Sequence, residues 1–80
     1  METEITGKWL EENGFEYNGF GRWTKRIENR FIAVWVREKL GVWALATYPT
    51  EIHYKHGICD YSCPGIHYQN EIKNIVPSFF

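Results

Sequence analysis

The six residues from Phe31 to Val36 (Phe-Ile-Ala-Val-Trp-Val) constrain the fold more than any other stretch, because no polar side chain interrupts them. Alternate side chains of an extended strand point to opposite sides. One side then carries Ile32, Val34 and Val36, and the other Phe31, Ala33 and Trp35. A strand of this kind needs cover on both faces, which places it at the centre of a sheet.

Its neighbours are read from turn chemistry. Strands are predicted over residues 22–27, 30–38 and 42–48. Glu28-Asn29 makes a two-residue connection in which Asn29 tolerates positive φ, and Lys39-Leu40-Gly41 supplies a glycine to the next. The result is an antiparallel meander. In the first strand Trp23, Lys25 and Ile27 alternate with Arg22, Thr24 and Arg26, the pattern of an edge with one partly buried face. In the third, Val42, Ala44 and Ala46 oppose Trp43 and Leu45, and Pro49 ends it because it has no N–H to donate.

Helices are predicted on either side. Residues 3–13 place Ile5, Trp9 and Leu10 on one helical face, with Thr3 as N-cap, Glu4 in the first turn, and Gly14 free to take the left-handed position beyond the end. Phe15 then falls where an apolar residue packs back on the helix. After Pro49, Ile52 and Tyr54 suggest a fourth short strand and residues 56–65 read as irregular. Tyr68, Ile72, Ile75 and Val76 have helical spacing, giving a helix over 66–76 that Pro77 closes. The expectation is one α+β domain over residues 1–80: an N-terminal helix, a meander of three to four strands and a short C-terminal helix. Phe79 and Phe80 either fold back as a plug or bind a partner chain, including a second copy, so monomer and homodimer both stay open.

At 80 residues the core has to be efficient, and four Trp within an 18% aromatic content supply burial that a short chain otherwise lacks. No run approaches the roughly 18 apolar residues of a membrane helix, and Met1 to Leu10 carries glutamates where a signal peptide needs positive charge. The reading is a cytoplasmic protein without membrane contact. Cys59 and Cys63 are then expected as reduced thiols.

The net charge of −1 hides an uneven distribution. Glu2, Glu4, Glu11, Glu12 and Glu16 precede Arg22, Lys25, Arg26, Arg30, Arg37 and Lys39, so an acidic helix is followed by a basic hairpin. The two either neutralise each other or leave a basic patch.

His53, His56, Cys59, Cys63 and His67 form a cluster of zinc-ligand types, with His56, Cys59, Cys63 and His67 as the candidate set. Structural zinc sites, however, favour two separated close pairs. These cysteines have three residues between them and the histidines scatter, so two packed thiols beside surface histidines is the competing reading and no cofactor is expected. A nucleophilic cysteine activated by His56 or His67 lacks any oxyanion-hole motif or phosphate loop, and the chain is not expected to be an enzyme. Arg22, Lys25, Arg26, Arg30 and Arg37 interleaved with Trp23, Phe31 and Trp35 have the ingredients of a single-stranded nucleic-acid platform. The five glutamates ahead of them oppose it.

Protein recognition is the leading expectation. Trp, Tyr and Arg are the residue types enriched in interface hot spots. If helices cover the Ile32, Val34 and Val36 face, then Trp23, Phe31 and Trp35 with Arg22, Arg26 and Arg37 form a candidate partner-binding set. The opposing possibility is that the C-terminal half hides that face.

One resemblance bears on this. An acidic helix ending in an Asn-Gly-Phe step (Trp9-Leu10-Glu11-Glu12-Asn13-Gly14-Phe15), an aromatic-rich meander and a terminal amphipathic segment (Gln69-Asn70-Glu71-Ile72-Lys73-Asn74-Ile75) loosely resemble small orphan proteins of bacteriophages and mobile genetic elements. The resemblance implies a non-enzymatic binder, such as an inhibitor of a host protein, and transfers no residue and no target.

Overall fold

The computed structural model describes residues 3–80; Met1 and Glu2, the latter counted above among the acidic residues, lie outside them. Five antiparallel strands form one sheet in sequence order: β1 (Glu16–Tyr17), β2 (Arg22–Ile27), β3 (Arg30–Arg37), β4 (Val42–Tyr48) and β5 (Tyr61–Ile66). The central strand is β3, as its two apolar faces require. There are five strands rather than three to four, because the chain adds one at each edge. Tyr17 pairs with Trp23 to start the sheet, and Cys63 pairs with Leu45 to finish it.

The last strand arises from the stretch expected to be irregular, while Ile52 and Tyr54 lie in a helix, α2 (Glu51–Lys55). Thr50 decides the matter locally: its Oγ1 accepts a hydrogen bond from the His53 amide at 3.3 Å, satisfying one of the free donors at a helix start. Pro64 sits in β5 without cost to the sheet's interior, because an edge strand leaves half its amides unpaired.

The first helix, α1, spans Gly7–Glu12 rather than residues 3–13. Thr6, not Thr3, is its N-cap, accepting from the Trp9 amide at 3.1 Å. Residues before it are held extended instead: the Ile5 amide donates to the His67 carbonyl at 2.9 Å and the Gln69 amide to Thr3 at 2.8 Å. The far end follows the expectation. Gly14 has φ 89°, its amide donates to Glu11, and the Phe15 amide donates to Leu10. That pair of bonds satisfies the last helical carbonyls and turns Phe15 back into the core.

The C-terminal helix, α3, runs Gln69–Ile75, shorter than 66–76 because Ile66 belongs to β5 and Val76 leaves helical geometry at φ −131°. Glu71 Oε1 accepts from both the His67 and Tyr68 amides, at 3.1 and 3.0 Å, and so caps its start. Pro77–Phe79 then makes a single tight turn that drives Phe79 into the interior.

Both α1 and α3 share one face of the sheet. There Leu10, Phe15, Ile32, Val34, Leu45, Ile66, Ile72 and Phe79 pack into the main core. Phe80 stacks on Trp9 at 5.1 Å, so the terminal phenylalanines fold back. Lys25 anchors them: its Nζ donates to the carbonyls of Asn13 and Phe79 at 2.7 and 2.6 Å and lies by the rings of Phe15 and Phe80. The opposite face holds a smaller cluster of Phe31, Ala33, Ala46 and Tyr48, over which α2 lays Tyr54. Tyr54 stands 4.5 Å from the Phe31 ring and edge-on to Tyr48.

Candidate functional site

Because the strands meander, hairpins alternate between the sheet's two ends. Loop 18–21 (β1 to β2) and loop 38–41 (β3 to β4) therefore lie side by side at one end, and the 28–29 turn lies at the other. The Val36 amide donates to the Gly21 carbonyl at 3.1 Å, fixing the first loop against β3.

Three successive residues of that loop have left-handed backbones: Gly19 at φ 85°, Phe20 at 55° and Gly21 at 71°. Glycine adopts such angles freely, whereas a bulky side chain there costs on the order of 1 kcal/mol or more. Phe20 is nevertheless fully exposed, at 105% of its reference area. The strain turns an aromatic ring into solvent rather than into a core. Tyr17 supports the loop by accepting from the Gly21 amide at 3.1 Å through its hydroxyl, while its ring is 53% exposed. In the neighbouring loop Gly41 takes φ 66°, and Leu40 is 60% exposed over an open depression of about 400 Å³ that it lines with Arg37, Glu38 and Lys39.

Behind these tips stand aromatic side chains on both faces. On the helical face Tyr17, Trp23 and Trp43 form a ladder with ring separations of 4.7 and 5.4 Å. Trp23 is half-buried beneath α1, where Gly7 is required because a Cβ would collide with the indole. Its Nε1 is buried without a partner among the described residues. On the other face Arg22 lies over the half-buried Trp35 ring at 5.4 Å, and Arg37 reaches across to donate to the Pro64 carbonyl at 2.9 Å.

The expected partner-binding residues thus divide. Arg22, Trp35 and Arg37 come together on one face at the loop end. Trp23 reaches the same end on the other face, because its register partner is Val34 rather than Trp35. Phe31 is buried beneath Tyr54, and Arg26, its cross-strand partner, is exposed at the far end beside Glu51 and Lys55 in a cleft of about 550 Å³. Val36, expected in the core with Ile32 and Val34, is only half-buried, since α1 and α3 do not extend over the loop end. Phe20 and Leu40 were not foreseen. Gly-Phe-Gly marks a turn in sequence, but whether its ring packs or projects depends on what stands beside it.

The charge asymmetry does not resolve into pairing. Among the described residues the one ion pair is Arg30 with Asp60 at 3.3 Å, at the far end, where Asp60 also accepts from the buried Thr47 hydroxyl at 2.6 Å. At the loop end Arg22, Arg37 and Lys39 have no carboxylate at ion-pair distance among the described residues.

The zinc-ligand types are dispersed. His53 lies in α2 with its Nδ1 2.7 Å from the Thr50 hydroxyl, His56 caps that helix and is exposed, Cys59 is exposed in the following loop, Cys63 is half-buried against the main core, and His67 is exposed before α3. No three His, Cys, Asp or Glu side chains converge on a metal-sized site among the described residues. The Tyr48 hydroxyl is made less acidic by its surroundings. Burial raises its pKa above the ordinary 10.0, Cys59 and Tyr54 push the same way, and Arg22 opposes them.

No helix among the described residues is long and apolar enough to cross a membrane. Comparison with protein-family models, with curated proteins and with solved structures finds no match to this chain.

Proposed function

We propose that this chain is a non-catalytic protein-recognition module that engages a partner through the loop end of its sheet. The observation that carries the reading is Phe20, held at a left-handed backbone angle and wholly in solvent between Gly19 and Gly21. Folding alone favours glycine or a polar residue there, so an aromatic ring that contributes nothing to the core is explained by what it touches outside. Trp35 and Arg22 behind it supply the residue types that dominate interface energetics. A stoichiometric binder or inhibitor of a host protein is the form implied by the likeness to small phage proteins.

The test is affinity capture from a bacterial lysate with the wild-type protein, Phe20→Ser and Ile52→Ser, the last replacing an exposed apolar residue of α2. A stoichiometric partner should be retained by the wild type and Ile52→Ser and lost from Phe20→Ser, with all three sharing one thermal transition. Equal retention by Phe20→Ser would remove the loop end from consideration.

Single-stranded nucleic-acid binding is the second reading, favoured by the exposed Phe20 ring at an end that carries Arg22, Arg37 and Lys39, none in an ion pair among the described residues. It requires binding to an oligonucleotide at low salt that weakens steeply as salt rises.

A further inference from the structure

We infer that the partner surface engaged by this loop end is an acidic segment of polypeptide bearing an exposed aliphatic or aromatic side chain; the inference rests on the protein-recognition reading above. Three cations, Arg22, Arg37 and Lys39, surround the apolar tips with no carboxylate paired to them among the described residues. Glu38 is the acidic residue within the two loops. At the far end Arg30 has Asp60, and Arg26, also without an ion pair among the described residues, shares its cleft with Glu16 and Glu51. Unpaired cations beside exposed apolar groups define a complementary surface that is negative around an apolar centre.

The geometry also separates this partner from other anionic ones. A nucleic-acid strand wants cations spaced along its backbone and rings open for stacking, whereas here one face of Trp35 is already occupied by Arg22. An anionic lipid surface would attract the same cations and accept Phe20 and Leu40. However, Arg37 is tied sideways to the Pro64 carbonyl, and Arg22 is folded down on Trp35. Both guanidiniums therefore lie along the sheet face beside the tips, which suits a chain passing between the tips and that face.

A displayed library of random dodecapeptides provides the probe. It is selected on the wild-type protein and counter-selected on Phe20→Ser, with Leu40→Ser as a second variant should the first lose its thermal transition. Enriched peptides should be acidic around an apolar residue. Their affinity should fall roughly tenfold for the Arg22→Ala/Arg37→Ala pair, and by a similar factor when salt is raised, the scale expected for two partly exposed charge contacts. Enrichment of neutral or basic peptides that still depend on Phe20 overturns this inference and leaves protein recognition standing. Failure to enrich any sequence over Phe20→Ser overturns both. Tighter binding to phosphatidylserine vesicles, or to a twenty-residue oligothymidine, than to the selected peptides assigns the cations to lipid or nucleic acid and likewise overturns it.

Discussion

At the end of the sheet that carries the 28–29 turn, Arg30 is paired with Asp60, the Thr47 hydroxyl is satisfied, and Tyr54 lies over Phe31. At the opposite end Arg22 and Arg37 frame Trp35 with no carboxylate paired to them among the described residues, and Phe20 stands in solvent. Each end has a non-glycine residue at φ 55°, Glu28 in one turn and Phe20 in the other. Glu28 presents a charged side chain that water solvates, so its strain needs only the turn as a reason. Phe20 adds unburied apolar area to the same strain. The difference teaches that the two ends answer to different demands, one to stability and the other to something outside the chain.

Substitution can break that contrast. The largest effect is expected for Phe31→Ala, which uncovers Tyr54 and Tyr48 and should lower unfolding stability by about 3 kcal/mol in urea titration. Trp35→Ala should cost about half as much, because its ring is only half-buried; an equal loss would make the loop end part of the core. Phe20→Gly should move the other way, raising unfolding stability by up to about 1 kcal/mol as the left-handed strain is relieved, partly offset by greater freedom of the unfolded chain. A loss of stability would mean that Phe20 packs on something.

The smallest effect concerns pH. Tyr48 has a raised pKa in the folded state, mainly from burial, so the folded form holds its proton more tightly than the unfolded form. The resulting stabilisation is complete below the ordinary value of 10.0 and is lost as pH rises through the folded value. Tyr48→Phe should flatten that alkaline decline without changing the neutral-pH profile's shape. An unchanged decline would assign it to other groups.

Much of the fold was legible because its strongest signals are local. The unbroken run in β3 and its flanking turns fix three strands, and the Asn13-Gly14-Phe15 step fixes a helix end. The outer strands were not legible for physical reasons. In β5 only Cys63 and Ile66 turn toward the core, and Pro64 and Gly65 dilute the pattern; β1 is two residues long. The five residues of α2 are too few to show helical periodicity, and positive φ in the first turn fell on Glu28 rather than Asn29. One feature of the site could have been read. A two-residue turn between Ile27 and Arg30 fixes the register, and counting back places Trp23 opposite Val34, on the face away from Trp35. Phe20 could not, since nothing in a Gly-Phe-Gly sequence says which way the ring turns.

The side-by-side strand order has a kinetic corollary. Every strand pairs with its neighbour in the chain, so the first three pairings close short turns at small entropic cost, and the last, β4 with β5, spans only the segment that holds α2. Covering the sheet is another matter. It joins Ile5 to His67, Gln69 to Glu4, and Lys25 to Phe79 across most of the chain. The sheet can therefore assemble before the helices lock over it. A chain in that half-closed condition already presents both loops, so the end proposed to meet a partner is complete while the opposite face of the domain is still open.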